Sequence, residues 1–210
     1  MLVVVFNVGT PCYAAPALAV LKDYFRRYDH EYVIVNDLGS YNTKNAHPSW
    51  MKLLAHKMFK GYSFILNWDL DLLPIKSAHS IRSVLDQAKM NMAVDSSLLA
   101  GYPGFNINFK YNGGLMGIPV ALAPWCEAIY EKHAPGDYPS YEQYYLNDAI
   151  VADKVPVNRL PDEVNTLYPR NTPGNALWRA AEMKHYTFGV MEAQDKLRMI
   201  QEHHDDYFKA

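Results

Sequence analysis

The first third of the chain alternates short apolar runs with amphipathic stretches, and this alternation constrains the fold more than any other feature. Leu2–Phe6 is a continuous apolar run rich in valine, which is typical of a strand buried on both faces of a parallel sheet. Glu31–Val35 and Tyr62–Leu66 are the next two predicted strands, and helices are predicted over 14–28 and around 50–58. The order βαβαβ is the pattern of half of a doubly wound α/β domain.

The rest of the chain predicts a more mixed arrangement of helices and strands. The predicted helices cover residues 81–89, 121–132, 141–152 and 191–208. The predicted strands cover residues 92–94, 113–118, 155–160 and 184–188. A stretch rich in Gly, Pro and Asn, at 96–108, is predicted to be a long functional loop. No repeat or linker marks a boundary, so we expect one α/β domain over residues 1–210.

Composition narrows the class of protein. The 210 residues carry a formal net charge of −2, and half of them are hydrophobic, as in globular domains. Because no run of Lys or Arg appears, we expect no nucleic-acid partner. Cys12 and Cys126 form no disulfide framework. No apolar stretch reaches the roughly 20 residues of a membrane helix. The sequence therefore predicts a soluble cytoplasmic protein without a membrane span.

An acidic pair follows the third predicted strand. Asp69-Leu70-Asp71 stands at the carboxyl end of that strand, where open α/β sheets bind their ligands. In an extended chain the two carboxylates would point to opposite sides, but a bend at the strand end lets both reach one cation. Carboxylate oxygens suit Mn²⁺ or Mg²⁺, which bridge the phosphates of a diphosphate. The tripeptide therefore indicates a metal site for a nucleoside diphosphate.

The same tripeptide is compatible with a different chemistry. Phosphatases of the haloacid dehalogenase type carry Asp-x-Asp after a strand and use the first Asp as a phosphoryl nucleophile. In that family the pair follows the first strand and precedes a small residue, whereas here it follows the third strand and precedes Leu72-Leu73. A phosphatase using Asp69 is therefore the less favoured alternative.

Four further segments carry a resemblance to a known family. They are Phe6-Asn-Val-Gly-Thr-Pro-Cys-Tyr13, Tyr111-Asn-Gly-Gly-Leu-Met-Gly-Ile118, Glu142-Gln-Tyr-Tyr-Leu-Asn147 and Val157-Asn-Arg-Leu-Pro-Asp-Glu-Val-Asn165. With the acidic pair, and in this order, they resemble the GT-A fold glycosyltransferases, closest to the retaining family 8 type of glycogenin and bacterial galactosyltransferases. The resemblance implies a three-layer α/β/α domain with a mostly parallel central sheet. It also implies a hexosyltransferase with a UDP-glucose or UDP-galactose donor and a glycan or glycoprotein acceptor.

The resemblance assigns roles to particular residues. Asp69, Asp71 and His185 would hold Mn²⁺ or Mg²⁺. The nucleotide and its phosphates would contact Asn7, Val8, Tyr13, Asp37 and Lys52. The donor sugar would lie among Asp95, Asn112, Gly113, Glu142 and Gln143. Retention is expected from these blocks, and if the reaction instead inverts the anomeric centre, Asp95 or Asp148 would be the base.

Three departures from the family pattern leave alternatives open. The family often has an Asp in the opening turn, whereas here the turn has Asn7 and Thr10 and is one residue longer, so GDP-sugars stay open beside UDP-sugars. No Lys-Pro-Trp follows Gly189, so the family's phosphate-contacting lysine is missing from its place. The chain is also short for the family, and in size it resembles glycosyltransferases encoded by large DNA viruses. An inactive nucleotide-sugar-binding module is the alternative of a different class.

Overall fold

A computed structural model of the chain describes residues 1–9, 11–94, 111–135, 141–168, 176–186 and 193–210. The strands are β1 (Leu2–Phe6), β2 (Tyr32–Val35), β3 (Phe64–Trp68), β4 (Leu72–Pro74), β5 (Met90–Val94), β6 (Tyr111–Pro119), β7 (Val157–Leu160), β8 (Thr166–Tyr168) and β9 (Met183–Tyr186). The helices are α1 (Ala14–Arg27), α2 (Ala55–Met58), α3 (Ala123–His133), α4 (Tyr141–Ala152), α5 (Ala176–Ala180) and α6 (Ala193–Lys209).

Six strands form the central sheet in the order β2-β1-β3-β6-β5-β7. Strand β1 pairs in parallel with β2 and β3, and β5 pairs in parallel with β7. Strand β6 is antiparallel to both of its neighbours, β3 and β5. Since β6 alone is reversed within this sheet, the prediction of a mostly parallel central sheet is confirmed. A second sheet has three strands in the order β4-β9-β8.

Both faces of the central sheet are covered, which explains why β1 is apolar throughout. Val3 and Val5 belong to a core cluster that includes residues of α1 and α6. Val4 points to the other face and packs in a cluster with residues of α3, α4 and the turn at Pro48–Leu54. Successive side chains of a strand alternate between faces, so a run buried on both sides must be continuously apolar. The predicted α/β/α layering is confirmed.

The reversed strand brings its first residues to the edge of the sheet where its neighbours end. Leu115 of β6 pairs with Trp68 at the end of β3, and Tyr111 pairs with Val94 at the end of β5. The residues between Tyr111 and Leu115, a predicted part of the donor site, therefore lie beside the acidic pair that follows β3.

Some predicted elements differ from the observed ones. The helix over 81–89 is wrong, because only a 3₁₀ turn forms there, at Ile81–Val84. Side-chain hydrogen bonds from buried Asn91 to the backbone of Asp86 and Lys89 hold the following residues in a turn instead. The helix around 50–58 is divided into a 3₁₀ segment, Pro48–Leu54, and the short α2.

The other predicted elements are found within a few residues of their expected bounds. The predicted loop at 96–108 lies outside the described residues, as do the last two residues of the strand predicted at 184–188. Within the described part of the chain, no helix has both the length and the apolar character needed to cross a bilayer.

Candidate active site

The acidic pair lies on a tight turn that directly follows β3. The backbone N–H of Asp69 donates to the carbonyl of Gly114 at 2.8 Å, which continues the pairing of β3 with β6. The N–H of Leu72 then donates to the carbonyl of Asp69 at 3.0 Å and closes the turn. The carbonyl of Asp71 accepts from the N–H of Tyr186 in β9 at 2.9 Å. These bonds bend the chain so that both carboxylates face the same side.

The third member of the cluster is His185, which lies in β9 of the small sheet. Its Nε2 lies 3.3 Å from Oδ1 of Asp71 and 3.8 Å from Oδ2 of Asp69. The three candidate ligand atoms all lie within 4.8 Å of one another. Among the described residues, no other group of His, Cys, Asp or Glu side chains meets this geometry. Two carboxylate oxygens and one imidazole nitrogen fit Mn²⁺ and are compatible with Mg²⁺.

A buried lysine holds each of the two carboxylates. Lys52 Nζ lies 2.6 Å from Oδ1 of Asp69, and Lys196 Nζ lies 2.5 Å from Oδ2 of Asp71. Lys52 is 4% exposed and Lys196 is completely buried, so neither charge is well screened by water. Each aspartate therefore gives one oxygen to a lysine and turns the other toward Nε2 of His185. The lysines fix the orientation of both candidate ligands.

The charges in this cluster shift one another's pKa values. Burial raises the pKa of Asp71, but His185 and then Lys196 outweigh that effect and hold it well below its ordinary value. The pKa of Asp69 is raised, because burial and the neighbouring Asp71 outweigh the opposing charges of Lys52 and His185. Burial lowers the pKa of Lys52, but the carboxylates of Asp69 and Glu142 outweigh this effect and raise the pKa above its usual range. The surrounding positive charges thus favour the ionised form of Asp71, whereas burial beside a second carboxylate disfavours the ionised form of Asp69.

Strand β6 and helix α4 form the wall beside the carboxylates. Lys52 Nζ donates to the carbonyl of Gly113 at 2.9 Å and lies 3.4 Å from Oε1 of Glu142. Gln143 accepts from the N–H of Gly113 at 2.8 Å through Oε1. Asn147 ties α4 to β6 through hydrogen bonds to the N–H and the carbonyl of Tyr111. The structure therefore brings Lys52, Gly113, Glu142 and Gln143 together beside the acidic pair.

The predicted nucleoside-binding residues follow β1 and β2 at the same edge of the sheet. Asn7 donates through Nδ2 to Oδ1 of Asn36 at 2.8 Å, while its own buried Oδ1 has no hydrogen-bond partner among the described residues. Tyr13 is half-buried, and Lys196 Nζ lies 4.6 Å from its ring centroid. Val8 is half-buried and Asp37 is exposed. A buried acceptor without a partner is costly, and it can be satisfied by an N–H of a bound ligand.

Two predicted residues are not part of this cluster as described. Asp95 lies outside the described residues. Asp148 is exposed on α4, where its charge acts on His133: burial lowers the pKa of that histidine and the Asp148 carboxylate opposes the shift. No described contact joins Asp148 to the acidic pair.

Sequence reasoning missed three residues of the site. Lys196 shares a helical face with Ile200, His203 and Tyr207, all of which are buried. A lysine at that spacing on an apolar face was the signal that could have identified it. Asn165 lies in one of the motifs that carry the resemblance but has no predicted role, and Gly114 is predicted only as part of a strand. Both contact other residues of the site.

A cross-check against known proteins supports the fold. No protein-family model and no curated protein matches the sequence. A solved glycosyltransferase involved in glycosylating the major capsid of PBCV-1, a chlorella virus, is 12% identical with a TM-score of 0.68, covering 95% of this chain and 98% of its own.

Two bacterial-type transferases are also similar. The galactosyltransferase LgtC, solved with donor and acceptor sugar analogues, is 13% identical with a TM-score of 0.60, covering 99% of this chain and 96% of its own. GlyE of Streptococcus pneumoniae is 13% identical with a TM-score of 0.58, covering 96% of this chain and 63% of its own. At such low identity the likeness concerns the fold, and the fold is GT-A, that of nucleotide-sugar glycosyltransferases.

Proposed function

We propose that this chain is a metal-dependent hexosyltransferase, folded as one domain, that uses a UDP-sugar donor, UDP-glucose or UDP-galactose, and a glycan or glycoprotein acceptor. The observation that carries the proposal is the cluster of Asp69, Asp71 and His185, flanked by two buried lysines, in a GT-A fold. Its place at the carboxyl edge of the sheet is where open α/β folds bind ligands.

The charge of the cluster suits a diphosphate and a divalent cation together. Three carboxylates, of Asp69, Asp71 and Glu142, face two ammonium groups, of Lys52 and Lys196. Bound between Asp69, Asp71 and His185, Mn²⁺ or Mg²⁺ would neutralise the negative charge that develops on the departing diphosphate. The net charge of these five side chains is negative without the cation and positive with it. The site therefore favours binding of the cation and the diphosphate together.

The chain's own residues contribute positioning and charge. The ammonium groups of Lys52 and Lys196 lie next to the carboxylates and supply fixed positive charge in a poorly solvated place. Gln143 uses its oxygen on the N–H of Gly113, so its amide NH₂ is the part that can donate to a sugar hydroxyl. Buried Glu142 can accept hydrogen bonds from neighbouring hydroxyls. These groups would orient the sugar without attacking its anomeric carbon.

The nucleoside half of the donor would lie over the start of α1. The buried Oδ1 of Asn7 would accept from an N–H of the base, and the ring of Tyr13 would stack on it. Uracil and guanine both offer such an N–H, and Asn7 lies in a turn where the family often has an aspartate. GDP-sugars therefore belong in the same binding experiment as UDP-sugars.

The decisive experiment is calorimetric titration of UDP and GDP sugars with Mn²⁺ and with EDTA. We expect tight binding of a UDP-hexose with Mn²⁺ and much weaker binding in EDTA. Asp71→Asn should weaken binding at least tenfold, whereas Asp205→Asn, at an exposed position on α6, should not change it. Equal binding of UDP in EDTA would remove the metal from the proposal.

Slow hydrolysis of the donor to free sugar separates an enzyme from a binding module. Tight binding without turnover across UDP- and GDP-hexoses would favour the inactive module. Hydrolysis of an aryl phosphate, lost in Asp69→Asn, would instead indicate the phosphatase. The structure favours the transferase over that phosphatase, because Asp69 follows β3 inside the sheet and Lys52 occupies one of its oxygens.

A further inference from the structure

We infer that Asn165 is a positioning residue that determines which ring nitrogen of His185 is available to a metal. The inference rests on the proposed function, because it takes His185 as a metal ligand. Asn165 lies just before β8, is 1% exposed, and touches none of the carboxylates directly. It acts through a chain of three hydrogen bonds that begins at a backbone group and ends on the imidazole.

The chain of bonds begins at Gly114, whose backbone N–H can only donate. It donates to Oδ1 of Asn112 at 2.8 Å, which fixes the orientation of that side-chain amide. The same Oδ1 lies 2.9 Å from Nδ2 of Asn165. An oxygen that already faces one donor requires a second donor here, so Asn165 must present its NH₂ group to Asn112. The orientation of Asn165 is thereby determined as well.

The last bond fixes the imidazole. With its NH₂ group on Asn112, Asn165 presents Oδ1 to Nδ1 of His185 at 2.9 Å. An amide oxygen cannot donate, so Nδ1 must carry a hydrogen whether the ring is neutral or charged. In the neutral ring Nε2 is therefore the nitrogen with the lone pair. That atom is the one that faces Oδ2 of Asp69 and Oδ1 of Asp71.

Close packing keeps the ring in this orientation. Asn112 is 8% exposed and His185 is 4% exposed. A Cβ at Gly114 would come within 2.3 Å of Cε1 and 2.7 Å of Nδ1 of His185, and within 2.8 Å of Oδ1 of Asn112. The missing side chain of Gly114 thus gives the ring and the first amide the space they occupy. Asn165 determines that Nδ1 carries the hydrogen, and the absence of a side chain at Gly114 leaves the space that the ring occupies.

The alternative orientation breaks the chain at two points. If Asn165 turned its amide over, its oxygen would face Oδ1 of Asn112, and its NH₂ group would face Nδ1 of His185. Turning Asn112 as well would place an NH₂ group against the N–H of Gly114. Each arrangement leaves buried donors or acceptors opposed to their own kind. Hydrogen bonds of this sort from a ligating histidine to a carbonyl or carboxylate orient the ligand, and losing one typically costs about 10- to 100-fold in metal affinity.

The first test is the tautomer of His185 itself, read from long-range ¹⁵N–¹H correlations of the imidazole with the diamagnetic ion Mg²⁺ and UDP present. The neutral ring of the wild-type protein should carry its hydrogen on Nδ1. In Asn165→Ala the ring should lose that preference, since Nδ1 has lost its acceptor. Asn165→Asp keeps an acceptor at this position and should keep the Nδ1–H tautomer. A neutral ring with its hydrogen on Nε2 in the wild-type protein would overturn the inference.

The second test is the affinity for Mn²⁺, titrated at a fixed concentration of UDP. Asn165→Ala should bind Mn²⁺ about 10- to 100-fold more weakly. Asn165→Asp should recover part of that loss, because one of its oxygens still accepts from Nδ1 while the other faces Oδ1 of Asn112. Asn91→Ala is the matched control, because Asn91 is also fully buried and, within the described part of the chain, its side chain bonds only turn residues and Asn158. It should lose folding stability and keep its affinity for Mn²⁺.

The outcomes separate this inference from the proposed function. Unchanged Mn²⁺ affinity in folded Asn165→Ala, beside normal binding by the wild type, overturns the positioning role alone. If the wild type binds no Mn²⁺ even with UDP, the metal site fails and the positioning role fails with it. If Asn165→Ala does not fold, the wild-type tautomer and the affinity of Asn165→Asp still decide the question.

Discussion

Lys196 Nζ lies 2.5 Å from Oδ2 of Asp71, although 125 residues separate the two side chains in the sequence. The lysine is completely buried and also lies over the ring of Tyr13. It therefore connects the acidic pair after β3, the start of α1 and the helix α6. The phosphate-contacting lysine that the family places after its closing glycine is missing here, and Lys196 puts an ammonium group beside the acidic pair from another element.

Replacing this lysine should destabilise the protein in a way that a metal ion can repair. Lys196→Met leaves the buried carboxylate of Asp71 without its ammonium partner and with only His185 of the two, and breaking a buried ion pair costs about 3–5 kcal/mol of unfolding free energy. Mn²⁺ should restore part of that loss, because a cation again neutralises Asp71. Urea denaturation with and without Mn²⁺ measures both effects.

Lys89→Met is the comparison for the lysine variant, since Lys89 is half exposed and pairs with Asp86 within one turn. It should cost less than about 1 kcal/mol and respond to Mn²⁺ as the wild type does. A Lys196→Met protein as stable as the wild type would show that Asp71 does not depend on this ammonium group.

Gly114→Ala should abolish metal binding by displacing a side chain and leaving the charges unchanged. The new Cβ would lie 2.3 Å from Cε1 of His185, a distance that forces the ring to move. Gly117→Ala on the same strand is the matched variant, because its Cβ would meet Cζ of Phe64 at 2.5 Å. Both variants should unfold at lower temperature, but Gly114→Ala alone should lose affinity for Mn²⁺ in calorimetry. Equal affinity for Mn²⁺ in the two variants would contradict the role of the close approach between Gly114 and the ring of His185.

Stability should fall on mild acidification because of buried His203. Its Nε2–H donates to the carbonyl of Pro74 and its Nδ1 accepts from the hydroxyl of Tyr186, each at 2.9 Å, so a neutral ring satisfies both bonds. Burial is the main cause that lowers the pKa of His203 to about 4. An unfolded chain takes up this proton near pH 6.5, and the folded protein takes it up only near pH 4.

The sign of that pH dependence follows from proton uptake. Between about pH 6.5 and pH 4 the unfolded state binds more protons than the folded state, so the unfolding free energy falls as pH falls. The loss from His203 amounts to about 3 kcal/mol at most. Urea melts at several pH values should show a shallower slope for His203→Gln than for the wild type. Parallel slopes would mean that other groups carry the acid sensitivity.

The product of transfer should keep the α-configuration of the donor. An inverting reaction needs a carboxylate within hydrogen-bond reach of the acceptor hydroxyl, and Asp148 is exposed without a described contact to the acidic pair. Proton NMR of the first-formed product of donor hydrolysis or transfer reports the anomeric configuration. A β-linked product would refute retention, and loss of turnover in Asp95→Asn or in Asp148→Asn would then identify the base.

The sequence predicted the parts of the fold that depend on local pattern. The apolar run of β1 and the amphipathic spacing of α1 each identify an element without knowledge of its neighbours. The sequence shows where β3 ends, because its apolar run stops before Asp69. The rule for open sheets then indicates a ligand site at that end of the strand. The motif resemblance named Lys52, Gly113, Glu142 and Gln143 as site residues, and in the structure these four residues lie together.

What could not be predicted depends on contacts between distant segments. Lys196 joins the site because α6 packs beside α1, and nothing local to the helix identifies Asp71 as its partner. The role of Asn165 depends on the orientation of two other side chains, of Asn112 and His185, which requires three-dimensional distances. The helix predicted over 81–89 failed for a related reason: the side chain of Asn91 competes for the backbone bonds of the turn.

The division of the ligand set between two sheets has a consequence for how the protein opens. Asp69 directly follows a strand of the six-stranded sheet, whereas His185 lies within the three-stranded sheet. An ion held by both would fasten the small sheet to the large one, so local unfolding of the small sheet would first require release of the ion. At 100 times its dissociation constant a ligand adds about 2.7 kcal/mol to such an opening, which slows amide exchange in β8 and β9 about 100-fold. The proposed donor site would thus also join the two sheets, and hydrogen exchange with and without Mg²⁺ and UDP would show it.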